Sequence, residues 1–84
     1  MKVILTNTFK KSILKIPQKE GKRIIDRLRE LSEGKQNLDI VKLKNDEVYR
    51  LRVGSYRVIF EYREIENETA IICLLATHRK DAYK

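Results

Sequence analysis

Residues 48–62, VYRLRVGSYRVIFEY, constrain the fold more than any other stretch. Apolar and basic residues alternate along Tyr49-Arg50-Leu51-Arg52-Val53, the period of a strand with one buried face. Gly54-Ser55 is a Gly-X pair of the kind that closes a two-residue type II′ hairpin. Tyr56, Val58, Phe60 and Tyr62 then resume the alternation. With Gly54 and Ser55 as the loop, Val53 faces Tyr56, Arg52 faces Arg57, Leu51 faces Val58 and Tyr49 faces Phe60. Directly opposed residues share one side of a sheet. One face therefore carries the tyrosines, Leu51, Val53, Val58 and Phe60; the other carries Arg50, Arg52 and Arg57. Like charges directly opposite each other are destabilising. The arginines either splay into solvent on an open face or converge on an anion, and guanidinium holds phosphate in a bidentate way.

The flanking chain predicts the rest of the sheet and its cover. Val3, Ile4 and Leu5 read as a short strand within residues 2–6, and an unbroken apolar run predicts burial on both faces. Thr6, Asn7 or Thr8 can cap a helix bearing Phe9, Ile13 and Ile16 at helical spacing. Pro17 ends that helix and suits the first turn of a second, over residues 17–33, with Ile24, Ile25, Leu28 and Leu31 as its stripe and Gly34 past its end. The charged outer face of that helix, Lys22, Arg23, Arg27 and Arg29 among Asp26, Glu30 and Glu33, reads as solvated. Ile40, Val41 and Leu43, with Lys42 and Lys44 between and beyond, form a short edge strand. Asn45-Asp46-Glu47 and residues 63–68 are turns. The last strand, TAIICLLAT, is apolar in both parities and therefore central. A loop at Glu66-Asn67 would set Tyr62 against Ile71, Phe60 against Cys73, Val58 against Leu75 and Arg57 against Ala76, delivering His78 and Arg79 to the arginine face. The expected order is β-α-α-β-β-β, an α+β fold with both helices on one face of an antiparallel sheet, as one domain over residues 1–84.

Composition narrows the function. Nineteen Lys and Arg against twelve Asp and Glu give a net charge of +7 and a pI near 9.7, the footprint of a protein with an acidic partner. One cysteine and one histidine support neither a disulfide framework nor a zinc-type cluster. No P-loop or dinucleotide glycine motif is present. No apolar run would span a bilayer, and the start, MKVILTNTFKK, does not read as a signal peptide, so a cytoplasmic protein with no membrane partner is expected.

YRLRVGSYRVIFEY followed by HRKDAY resembles the RelE/ParE superfamily of toxins from bacterial and archaeal toxin–antitoxin systems. The resemblance spans nearly the whole chain and implies a RelE-like, microbial ribonuclease-like fold. RelE-like members are ribosome-dependent endoribonucleases that cut messenger RNA in the A site. By position, the resemblance implies phosphate or RNA binding by Arg50 and Arg52 with help from Lys42 and Lys44, and a catalytic set of Arg57, Arg79 and Tyr83. Some members carry lysine where this chain has Arg50 and Arg52, and the sequence ends one residue beyond Tyr83, which predicts no C-terminal helix to anchor that tyrosine. The resemblance also implies an acidic, RelB-like antitoxin that contacts operator DNA for the pair. ParE-like members share the fold, poison DNA gyrase and generally lack this residue set.

Cleavage of RNA by its own 2′-hydroxyl needs a proton acceptor, charge stabilisation and a proton donor to the departing 5′-oxygen. Arginines supply the charge without a metal or other cofactor. An ordinary tyrosine titrates near pH 10, so Tyr83 needs neighbouring cations to act as a base. His78 is the side chain whose ordinary range suits acid or base work; its other reading is a strand-end histidine bonded to backbone. Tyr49 reads as core, and Tyr56 as core or as a stacking platform for a base. Cys73 reads as a core residue. A non-catalytic gyrase inhibitor and a basic binding module are the rival readings.

Overall fold

A computed structural model describes residues 1–43 and 47–80. Strand β1 (Lys2–Leu5) is followed by helices α1 (Asn7–Leu14) and α2 (Gln18–Ser32), then by β2 (Ile40–Lys42), β3 (Val48–Val53), β4 (Tyr56–Ile65) and β5 (Glu68–His78). The short edge strand makes the order β-α-α-β-β-β-β, one strand more than the expected string. Asn45, Asp46 and Lys44 lie outside the described residues.

Local chemistry sets the helix ends. Thr6 caps α1, its Oγ1 accepting the Phe9 N–H at 3.1 Å, which satisfies one of the donors a helix start leaves open. After α2, Gly34 takes φ +77°. The Lys35 N–H bonds the Glu30 carbonyl at 3.0 Å and the Gly34 N–H bonds Leu31 at 3.1 Å, the paired bonds of a Schellman ending.

The sheet order is β1-β5-β4-β3-β2. Three ladders are antiparallel, but β1 lies parallel to β5, with Ile4 beside Ile72. The helices carry the chain back across the sheet, so β1 enters in the same direction as β5. This placement also corrects the expectation for β1: it is an edge strand and only half-buried, because its outer side has no neighbour in the sheet. Both helices cover one face. Phe9, Ile24, Leu28 and Leu31 pack against Leu51, Val58, Phe60, Ile71 and Cys73, all buried. Tyr49, Phe60 and Tyr62 form a ring cluster with centroids 5.1–5.6 Å apart, which places Tyr49 in packing. Burial, and then the neighbouring Tyr49, pushes the Tyr62 phenol above its ordinary range.

The β3–β4 register is as the alternation predicts: Val53 faces Tyr56, Arg52 faces Arg57, Leu51 faces Val58 and Tyr49 faces Phe60. Gly54 has φ +60° while Ser55 stays outside the left-handed region, as a type II′ turn requires. The turn expected over residues 63–68 contracts to Glu66-Asn67. Both have positive φ, 51° and 67°, the signature of a type I′ turn, and the neighbouring residues stay in the ladder.

The β4–β5 register departs from expectation halfway along. Tyr62 faces Ile71 and Phe60 faces Cys73, but the ladder then skips Leu74. Val58 faces Ala76 rather than Leu75, Arg57 faces Thr77 rather than Ala76, and Tyr56 faces His78. One extra residue in a strand reverses the facing of all that follow. Leu75 therefore lies on the open side, 38% exposed, and His78 lies on the helix side. Helix α1 bonds the irregular backbone. Thr6 Oγ1 donates to Cys73 O at 2.8 Å. The Ala76 N–H donates to Ser12 Oγ at 2.9 Å, and that hydroxyl donates to Phe9 O at 2.7 Å.

Two outcomes follow. Glu66 holds a conformation that asparagine adopts at lower cost, so Glu66→Asn should raise the unfolding free energy by roughly 0.5–1 kcal/mol in urea titration; an unchanged midpoint would contradict the type I′ assignment. Burial pushes the Cys73 thiol up to about 12, so at pH 8 folded protein should resist iodoacetamide and react only after unfolding. The unfolded thiol ionises at a lower pH, so this group's contribution to stability declines as pH rises from about 8.5.

Candidate functional site

The side of the sheet away from the helices is arranged in rows fixed by the ladder register. At the Gly54-Ser55 end, Arg52 lies opposite Arg57, which lies opposite Thr77. The next row runs Val41, Arg50, Ile59, Leu75. The third runs Val48, Glu61, Ile72, Ile4. Farther along, Arg63 pairs with Glu61 at 2.7 Å, so charge is neutralised away from the turn.

The arginine stems lie low on the sheet. Nε of Arg50 and of Arg57 is buried although both side chains are only half-buried overall. Apolar stems on the sheet with charged ends in water are the usual compromise for long basic side chains. Arg52 is exposed; its Nε reaches only 3.4 Å from the Gly54 carbonyl. Among the described residues Arg52 makes no ion pair.

The turn gathers further cations. The Arg79 N–H donates to Ser55 O at 2.8 Å, which tethers that exposed residue beside the hairpin. Arg23 reaches over from α2. Its guanidinium sits 3.6 Å from where a Cβ on Gly54 would lie, while Glu20 holds it at 3.1 Å. Sequence reasoning left Arg23 on a solvated helix face; only the docking of α2 against the hairpin brings it here, and no local pattern encodes that angle.

Of the expected site residues, the structure brings Arg50, Arg52 and Arg57 onto one face, with Arg79 at its end. It separates two others. Lys42 pairs with Tyr49 and so belongs to the helix-bearing side, away from Arg50 and Arg52; the two-residue period decides this once Val41 is opposite Arg50. His78 is also on the helix side. Its ring stands perpendicular to that of Tyr56, centroids 5.2 Å apart, and its Nδ1 accepts the Lys80 N–H at 3.2 Å. The backbone-bonded reading of His78 therefore holds, and the arginine-face position does not. Lys44 and Tyr83 lie outside the described residues. Among the described residues no group of His, Cys, Asp and Glu gathers as a metal ion would require, and no helix is long and apolar enough to cross a membrane.

Comparison with known proteins gives consistent similarities. The model of a family described as the ParE toxin of the type II toxin–antitoxin system parDE matches residues 3–83. A RelE1 toxin candidate of Methanocaldococcus jannaschii is 37% identical over 67 residues, covering 79% of this chain and 72% of that protein. Among solved structures, the RelB–RelE antitoxin–toxin complex of Methanococcus jannaschii aligns with TM-score 0.73 and 28% identity over 95% of this chain and 94% of that one. The archaeal RelE–RelB complex of Pyrococcus horikoshii OT3 aligns with TM-score 0.70 and 25% identity over 96% and 97%. A YoeB/ParE toxin of Agrobacterium tumefaciens shares the fold, with TM-score 0.72 at 15% identity over 93% and 98%.

The facing arginines should cost stability in the absence of an anion. Arg52→Thr should raise the melting temperature at low salt, by the equivalent of about 0.5 kcal/mol, and the gain should shrink in 0.5 M salt as screening removes the repulsion (the Debye length falls to a few ångströms near 1 M). A loss of stability at low salt would show that the pair is not repulsive.

Proposed function

The chain belongs to the ParE toxin family of type II toxin–antitoxin systems, and from that premise we propose that this RelE-like toxin is a metal-independent, ribosome-dependent endoribonuclease that cuts messenger RNA in the A site. The observation that carries the reading is the row of Arg52 and Arg57, with Arg50 behind it, on a sheet face left open by both helices. A fold has no packing reason to oppose two arginines, whereas a bound phosphate turns their repulsion into shared attraction.

In this reading the RNA 2′-oxygen attacks the adjacent phosphorus in line with the 5′-oxygen. The 2′-O–P bond forms as the P–O5′ bond breaks, the 2′-hydroxyl gives up its proton and the departing 5′-oxygen takes one from solvent water, leaving a cyclic phosphate and a 5′-hydroxyl end. Arg57, opposite Arg52 in the row nearest the turn, holds the scissile phosphate. Arg50 and Arg52 hold the backbone beside it. Arg79 stabilises the charge that grows in the transition state; a guanidinium keeps its proton, so it acts by charge alone. Tyr83 orients the 2′-hydroxyl or takes its proton. Lys42 is left out of the phosphate set because of its side of the sheet, and His78 is left out of the proton transfers for the same reason.

The partners follow. An acidic RelB-like antitoxin neutralises the basic chain and contacts operator DNA for the pair, in a cytoplasmic setting where ribosomes and messages are the targets. Two of the solved structures that the chain resembles are RelB–RelE complexes, which supports such a partner. The ParE description of the matched family favours a second reading, a non-catalytic inhibitor of DNA gyrase.

Messenger-RNA 5′ ends mapped after a short pulse of expression without antitoxin distinguish the two. The nuclease reading expects cuts in translated regions, in register with codons, reduced roughly a hundredfold or more by Arg57→Ala, the scale for losing one charge-stabilising group. Growth arrest with intact transcripts and DNA-damage signalling would overturn it in favour of gyrase.

A further inference from the structure

The skipped residue at Leu74 leaves His78 with a different set of neighbours from the one its sequence position implied. It closes one side of a cleft of about 320 Å³ between the C-terminal end of α1 and the turn end of the sheet, with Lys15, Ile16 and Tyr56 among its walls. That volume is at the lower limit of small-molecule sites, roughly 300 Å³, and suits a single heterocycle. Perpendicular Tyr56 and His78 rings present a face and an edge at the same corner, both favourable to a flat aromatic guest. Because Nδ1 of His78 accepts the Lys80 N–H, the proton of the neutral ring sits on Nε2, a donor. Lys15 adds a second donor, and Ile16 an apolar contact.

Position ties this cleft to the arginine row. Tyr56 immediately precedes Arg57, and His78 immediately precedes Arg79. Successive residues of a strand point to opposite faces, with Cα atoms about 3.8 Å apart. The cleft nevertheless reaches the arginine side along β5, because Thr77, opposite Arg57, and Leu75, in the row of Arg50, also line it. We propose that the cleft walled by Tyr56, His78, Lys15 and Thr77 binds one nucleobase of the RNA strand whose phosphates lie on the arginine row, a base-reading subsite along β5 beside that row. This rests on the reading of the chain as an RNA-binding toxin. His78 Nε2 and the Lys15 ammonium are both donors, and guanine, with acceptors at N7 and O6, is the base with which to probe them.

The test is an NMR titration of the purified full chain with GMP and, separately, with ribose 5-phosphate, following the ring protons of His78 and Tyr56. GMP should move both rings, and ribose 5-phosphate, which lacks the base, should move neither. His78→Ala should weaken GMP binding roughly tenfold, within the range for loss of one stacking contact, and leave inorganic phosphate binding unchanged. Equal shifts with ribose 5-phosphate, or GMP shifts confined to the arginine face, would overturn the subsite; the wild-type titration decides this even if the variant fails to fold. Because the readout is binding to the free protein, the two readings fail separately. GMP at His78 with intact transcripts in cells would sink the nuclease and keep the subsite, whereas codon-register cleavage without GMP shifts at His78 would do the reverse.

Discussion

Two hydroxyls on one side of α1, Thr6 and Ser12, hold the feature on which the distribution of side chains depends. A strand that skips a residue leaves backbone groups without ladder partners, and a buried group left unpaired costs about 1–3 kcal/mol. Here Thr6 Oγ1 serves the Cys73 carbonyl and Ser12 Oγ takes the Ala76 N–H. Thr6 also caps the helix that carries Ser12. The helix start and the strand irregularity are thus one hydrogen-bonded unit. Its consequence is directional: beyond Leu74, every residue of β5 points to the face opposite the one a regular ladder would give.

The sheet divides its labour between its faces. The helix side contains Phe9, Ile24, Leu28, Leu51, Val58, Phe60 and Cys73, all essentially excluded from water, and this burial is the main source of stability. The open side carries a repulsive element at the turn end. Charge there is concentrated, since Glu61 neutralises Arg63 farther along while Arg52 and Arg79 lie at the Gly54-Ser55 turn; Arg23 reaches the same turn from α2, already paired with Glu20. Val41 and Leu75, 43% and 38% exposed, flank Arg50 and Ile59, which lowers the water content around the guanidinium stems. Charges next to low-dielectric surface attract an anion more strongly than the same charges in open water.

The hairpin was legible because two independent signals, the two-residue period and the Gly-Ser turn, fix the same register. The helices were legible from stripe and caps, and Glu66-Asn67 was placed correctly as a loop although glutamate is a poor turn residue. Other features need information that no local window contains. β1 reads as doubly buried because Val3, Ile4 and Leu5 are all apolar, yet its place at the edge is set by the crossover through the helices. The skipped Leu74 lies in an apolar run, IICLLA, where both parities look alike, so nothing in the strand marks which residue drops out; the marker is Ser12, sixty-four positions before its partner Ala76. Lys42 followed its neighbours by composition but its face by parity. Arg23 required the docking angle of α2.

A row of arginines can hold and polarise a phosphate but cannot shuttle protons near neutral pH, since guanidinium does not titrate there. Under the proposed reading the proton steps therefore fall to groups outside the row, and the quality of catalysis depends on how accurately the RNA is positioned against them. Phosphate contacts alone fix the strand loosely, because successive phosphates are interchangeable to an arginine; base contacts set which one is cut. The register skip puts an aromatic pair with a donor in a cleft along β5 beside the arginine row. A regular ladder would have put His78 among the arginines, adding another donor to a face already rich in them and leaving Tyr56 without its perpendicular partner. Under the proposed subsite, the irregularity held by Thr6 and Ser12 is what places a base-binding cleft beside the arginine row.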